Sequence, residues 1–311
     1  MTINILKNKY AQYVLFGTIL IVVVCVYIWK VSRLPTEMEF YVFDTKGDPS
    51  IFIRTPDDER LLIDGGGNSE IIREITKVLP FYSRRIDDII VTSDSGDDVT
   101  GLVDVVNRYK IGQIILPNII AKEVGLSSST DKIYETFMEA IGQLKIPIQR
   151  VGRGDILNFN KNKFEFGNEL KFEVLFPDID SGFKYSKASP LEMILKLDYG
   201  ETSFLLIGNA SLKVQKFLAG ESAIGMRSNV LVVPHNVATS SLSTNLLNVV
   251  KPEFVVYSQA ISKKSVLSVN SKTSTPNKTD PLYMMMSDHR FNLKQKSTIE
   301  VLSDGKSVWV K

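Results

Sequence analysis

Three carboxylates crowd one short segment: Asp94, Asp97 and Asp98 lie within VTSDSGDDVTGL, Val91 to Leu102. An apolar run, IDDIIV, leads into this segment, and Thr100-Gly101-Leu102 turns out of it into an amphipathic stretch. The segment looks like a metal-binding loop that lacks metal-binding residues. Three readings are open: a working active site, an altered one, or an acidic surface loop. The rest of the chain narrows them. Its 311 residues contain 2 histidines, His235 and His289, and 1 cysteine, Cys25. A site built on three histidines is excluded, and so is an intramolecular disulfide. Zinc enzymes draw mainly on His and Cys, with carboxylates as helpers, so the composition argues against a standard zinc hydrolase.

The elements that would position such residues begin with an uncharged run, Tyr10 to Trp29. About 20 apolar residues suffice to cross a bilayer core. Tyr10, Tyr13, Tyr27 and Trp29 sit near its ends, where aromatic rings favour the interface. The expectation is a single-pass anchor at 10–29 between a short tail, 1–9, and a linker, 30–37. The N-terminus is expected inside, with the domain at 38–311 in the cell membrane's extracytoplasmic space. A cleaved signal peptide is the competing reading, but the run is long for one and no small-residue cleavage site follows. Lys7, Lys9 and Lys30 belong to this segment, and all 35 acidic residues lie beyond it. Removing those 3 lysines from the 37 basic residues leaves the remainder near −1, with no broad basic bias for nucleic acid. The polar, basic stretch Ser262 to Lys278 reads as a solvated loop.

Beyond the linker, strand-like runs alternate with turns and helices. EFYVFD, SIFIRT and ERLLID read as hairpin-connected strands. GGGNSEIIREITKVL reads as a glycine turn followed by a helix that Asn68 or Ser69 can cap. IDDIIVT, a helix at GLVDVVNRY, IGQIILP and the helix STDKIYETFMEAIGQL follow. The second half repeats the pattern through KFEVLFP, EMILKLDYG, TSFLLIG, a helix ending at Gly220, SNVLVVPH, STNLLNVVK and PEFVVYS. A hairpin around Asp304-Gly305 closes it. The predicted fold class is α/β (α+β): a four-layer αββα sandwich of two packed sheets with helices outside.

Five segments, in order, resemble a metallo-β-lactamase-fold domain, most closely the hydrolase-like domain of the ComEC-type competence DNA-uptake channel. They are MEFYVFDTKGDPSIFIRTPDDERLLIDGGG, the loop Thr92 to Leu102, YGETSFLLIGN, LVVPHNVATSS and SDHRFNLKQKSTIEVLSDG. The resemblance covers about residues 38 to 311. The channel's many-helix portion has no counterpart, so this chain alone cannot conduct DNA.

The resemblance implies a site for one or two zinc ions, and this chain departs from it. The first metal's two histidines fall at Ser93 and Ser95, and a hydroxyl is a poor substitute for imidazole. The second metal's set falls at Asp97, Asp98, Asn209 and His235, where only Asp97 and His235 match. The family's G-Q-G-D turn reads KGDP, and its N-x-x-S finds no convincing counterpart near SPLEMILKL. Asp64 matches, and its expected role is to tie down the glycine turn. His289 reads as structural. The resulting expectation is a vestigial pocket of Asp64, Ser93, Ser95, Asp97, Asp98, Asn209 and His235, with no catalytic residue. No metal is expected, or at most one divalent ion harder than zinc on Asp97, Asp98, Asn209 and His235. The functional expectation is a membrane-anchored pseudoenzyme that binds a protein or DNA partner. The alternatives are a metal-dependent phosphodiesterase and a purely structural envelope protein.

Overall fold

A computed structural model describes the chain apart from residues 1, 32–34, 81, 120–131, 160–168, 179–182, 185–191, 222–224, 234–241 and 259–286, and apart from the side chains of 2–9, 11, 27–31, 221 and 287. The first element, α1 (Thr2–Val31), covers the apolar run. The first half of the domain follows as β1 (Met38–Phe43), β2 (Ser50–Arg54), β3 (Arg60–Ile63), α2 (Glu70–Val78), β4 (Arg85–Ile90), α3 (Gly96–Arg108), β5 (Lys110–Pro117), α4 (Lys132–Leu144) and β6 (Ile148–Val151). The second half runs β7 (Ile156–Phe159), β8 (Leu170–Phe176), β9 (Ile194–Tyr199), β10 (Thr202–Leu206), α5 (Leu212–Glu221), β11 (Val230–Val233), α6 (Thr244–Val250) and β12 (Phe254–Tyr257). A short 3₁₀ turn at Ser287–His289 precedes β13 (Arg290–Asn292), β14 (Thr298–Ser303) and β15 (Val308–Val310).

Two sheets form. One has 8 strands in the order β15-β14-β1-β2-β3-β4-β5-β6, the other 7 in the order β13-β12-β11-β10-β9-β8-β7. Each begins with antiparallel hairpins and changes to parallel pairing where helices make the crossovers, at β3–β4 in the first and β10–β11 in the second. Helical crossovers are what parallel neighbours require. This explains why so many strands are apolar on both faces. In β1, Met38, Phe40 and Val42 face the inter-sheet core, while Phe43 joins the layer beneath α2, α3 and α4. The outer face of the second sheet is covered by α5 and α6, through Val214, Leu218, Leu246 and Val250. The rings of Phe40 and Phe204 stack across the middle at 4.7 Å. The expected sandwich of two sheets between helix layers is the observed architecture.

Several expectations need correction. Helix α3 begins at Gly96, five residues before the predicted Gly101, because Ser95 caps it. Strands β6, β7 and β13 were not read from the sequence. At α2, Ser69 occupies the cap position but makes no side-chain cap bond, and Asn68 Oδ1 instead accepts from the Glu70 N–H at 3.0 Å. The expected membrane span is not carried by the described residues, among which no helix is long and apolar enough to cross a membrane. The stretch Ser262 to Lys278 lies outside the described residues.

Candidate functional site: a buried carboxylate cluster

Turns at the ends of the central strands converge on one point. The β1–β2 turn brings Asp48, and its backbone is tied to the glycine turn after β3 by the Gly67 N–H donating to Lys46 O at 2.6 Å. Gly47, at φ +103, lets this turn approach both the glycine turn and α3: a Cβ there would lie 3.0 Å from Gly67 N and 2.8 Å from Asp97 O. The β3–α2 turn brings Asp64, and the β4–α3 turn brings Thr92 to Asp98. The lead-in to β9 brings Glu192, held against the first sheet by the Met193 N–H donating to Thr92 O at 2.7 Å.

Among the described residues, Asp48, Asp98 and Glu192 form a group of three buried carboxylates, each offering an oxygen within 4.8 Å of the others. They line a cavity of about 30 Å³ together with Asp64, Thr92, Gly208 and apolar side chains from both sheets. One oxygen of Asp98 accepts from the Ser93 hydroxyl. The other, Oδ1, is buried with no hydrogen-bond partner. The Asn209 backbone N–H donates to Glu192. Gly208 leaves room for that carboxylate, since a Cβ would sit 2.3 Å from Glu192 Oε1.

Burial dominates the electrostatics. It pushes the Asp98 carboxyl well above its usual range, and the charges of Asp64 and Asp48 push the same way. Glu192 is raised by burial, then by Asp98 and Asp48, against the lowering effect of the Asn209 N–H. Asp64 is raised to about 7 by burial, although two hydrogen bonds from Thr92 oppose this. Crowded acids with little water must share protons or a cation.

The residues singled out in the sequence fall into separate places. Asp64 lies in the pocket, but both its oxygens are engaged: Oδ1 by the Thr92 N–H at 2.8 Å and Oδ2 by the Thr92 hydroxyl at 2.7 Å. It therefore ties β3 to the end of β4 more than it ties the glycine turn. Ser93 is buried and bonded to Asp98. Ser95 Oγ accepts the Asp97 N–H at 3.2 Å and so caps α3. Asp97 is exposed and stands apart from the three clustered acids; its carboxylate lies over the glycine turn, 3.5 Å from where a Gly67 Cβ would be. Asn209 contributes its backbone to Glu192. His235 lies outside the described residues. His289 plays a structural part: its Nδ1 pairs with Glu253 O at 2.8 Å, and its ring stacks on Phe254 at 5.3 Å.

The zinc site implied by the resemblance does not fit these residues. At the two positions that would supply imidazoles, the hydroxyls are committed to Asp98 and to the α3 cap. Of the expected hard-ion set, Asp98 lines the cavity, Asp97 is exposed, Asn209 meets Glu192 through its backbone, and His235 lies outside the described residues. Asp48 and Glu192 lie beside Asp98. The sequence did hold a signal for Asp48, the one acid of the KGDP turn. Glu192 was a lone acid in the apolar run PLEMIL. Removing the cap by Ser95→Ala is expected to cost about 1 kcal/mol in chemical denaturation, with the fold intact by circular dichroism.

No family model matches the chain. No curated protein matches it either. Similar solved structures include the metallo-β-lactamase fold protein YhfI from Bacillus subtilis, at 10% identity and TM-score 0.46 over 71% of this chain and 85% of that one. Zn²⁺-bound PqqB from Methylobacterium extorquens is similar at 10% identity and TM-score 0.45, over 71% of this chain and 88% of its own. The diiron β-hydroxylase CmlA from Streptomyces venezuelae is similar at 13% identity and TM-score 0.46, and this chain covers 72% of itself but only 45% of CmlA. At such scores these likenesses carry no argument about the site, which rests on its own geometry.

Proposed function

We propose that this chain is a metallo-β-lactamase-like protein that has given up imidazole-based hydrolysis and works by binding a partner. One observation carries the reading: the hydroxyls of Ser93 and Ser95, where the resemblance would place metal-binding histidines, are spent on Asp98 and on the α3 cap. Both are built into the protein's own hydrogen bonding. In this reading the chain sits beside a membrane and relates to ComEC-type DNA-uptake machinery. The exposed apolar side chains of α1, among them Leu15, Phe16, Ile21 and Val22, support the membrane placement. The near-neutral balance beyond residue 30 favours a protein partner over nucleic acid.

A second reading, a phosphodiesterase using one oxygen-bound metal, is favoured by the buried acids alone. The test is turnover of bis-p-nitrophenyl phosphate and of single- and double-stranded DNA by the full chain, with Zn²⁺, Mn²⁺ or Mg²⁺ present. Background rates are expected in every case. Turnover that disappears in Asp98→Asn would contradict the proposal and favour the second reading.

A further inference from the structure

We infer that Asp48, Asp98 and Glu192 form a site for one hard divalent cation of the Mg²⁺, Mn²⁺ or Ca²⁺ class, and that this cation joins the two sheets and takes no part in hydrolysis. Four observations lead to it. First, the donors are all carboxylate oxygens, which suit hard cations better than zinc or copper. Second, their spacing fits. Oxygens on opposite sides of an ion bound at roughly 2.1–2.4 Å lie about 4.2–4.8 Å apart, and the three offered oxygens all lie within 4.8 Å of one another. Third, Asp98 is 1% exposed and lines the cavity, and its Oδ1 has no hydrogen-bond partner. An anionic oxygen held this way costs several kcal/mol unless a proton or cation meets it. Fourth, Asp64 lines the same cavity but stands outside the group of three, and each of its oxygens already accepts a bond from Thr92, so it adds charge beside the site.

The structural role follows from size and connectivity. The cavity, at about 30 Å³, has room for an ion with a water molecule. The three ligands come from separate parts of the fold: the β1–β2 turn, the first turn of α3, and the lead-in to β9. The first two belong to the first sheet and the third to the second, so one ion would bridge the sandwich.

The experiment uses the full chain in mild detergent, stripped with EDTA and returned to pH 8. Mg²⁺, Mn²⁺ and Ca²⁺ are each added, metal content is read by mass spectrometry, and the melting temperature is followed. The expected result is about one ion per chain for at least one of the three, with a melting temperature that rises with its concentration. Glu192→Gln and Asp48→Asn are expected to weaken binding at least tenfold. Without metal, both variants should melt at or above the unsubstituted chain, because each removes one of several crowded buried charges. That opposite response separates lost ligation from misfolding.

Absence of retained metal and of any melting shift with all three ions would overturn the inference and leave a proton-sharing cluster. Binding unchanged in both variants would overturn it too, because the metal would then sit elsewhere. The outcome is distinguishable from that of the proposed function. Bound metal without turnover sustains both. Bound metal with turnover lost in Glu192→Gln sustains the cation site and its residues but overturns the non-hydrolytic role and the proposed function.

Discussion

Gly101→Ala is expected to destabilise the fold by about 3 kcal/mol, at the upper end of ordinary overpacking, and to displace Asp98. The reason is the closeness of α3 to the glycine turn. A Cβ on Gly101 would lie 2.1 Å from Gly65 O, 2.6 Å from Asn68 O and 2.8 Å from Ile71 Cγ2. Two of these atoms are backbone and cannot swing aside. The same contact is bonded from both sides: the Gly65 N–H donates to Asp98 O at 2.6 Å, and the Gly101 N–H to Gly66 O at 3.0 Å. Pushing α3 away therefore breaks the link that holds Asp98 at the cavity. Gly142→Ala, in α4, is the contrast. Nothing lies within 4 Å of the added methyl, and alanine is the better helix former, so a gain of about 0.5–1 kcal/mol is expected. Urea denaturation of both variants reads the two signs. A neutral Gly101→Ala would mean that α3 does not seat on the glycine turn as described.

Stability of the metal-stripped chain is expected to fall as pH rises from about 4 to about 7. Asp64 titrates near 7 in the folded protein, against an ordinary value of 3.8, with burial the main cause. Asp98 and Glu192 are shifted the same way. Over that range the folded chain holds protons that the unfolded chain has released, so deprotonation favours unfolding. The stabilisation is complete below the unfolded values, near 4, and is lost as pH passes through the folded ones. For Asp64 alone, the shift corresponds to a ceiling of about 4 kcal/mol. Denaturant midpoints at pH 5 and pH 8 check this. The loss should shrink when a hard divalent cation is added at pH 8, because the cation replaces the protons. A midpoint that rises between pH 5 and pH 8 without metal would show that the buried acids are compensated by something other than protons.

The sandwich could be read from the chain because its signals are local. Apolar strands such as LLI in β3 and VLVV in β11 are bounded by glycine or polar turns, and α4 carries its apolar residues at helical spacing. Strands β6, β7 and β13 escaped because polar residues break up their apolar signal. Gln149 and Arg150 divide β6, Asn158 divides β7, and Arg290 and Asn292 flank the single apolar residue of β13. The α3 start was missed because the residues from Ser95 to Thr100 were read as a metal loop, whereas Ser95 works there as an ordinary helix cap.

The site was half legible. Asp64 and Asp98 line the cavity, and Ser93 adjoins it through its bond to Asp98. Its actual partners were not foreseen, because nothing in local spacing ties Asp48 or Glu192 to Asp98. Only the packing of one sheet on the other brings Glu192 there. Asp97 and Asp98 show the limit of reading motifs: neighbours in sequence on a helix's first turn, one is exposed and the other buried.

The most direct test of this account is anomalous diffraction at the manganese edge from crystals of the full chain grown with Mn²⁺. One strong peak is expected within bonding distance of Asp48, Asp98 and Glu192, with Ser93 and Ser95 away from the metal. A peak bound by Asp97 and His235 instead, or none among the three carboxylates, would contradict it.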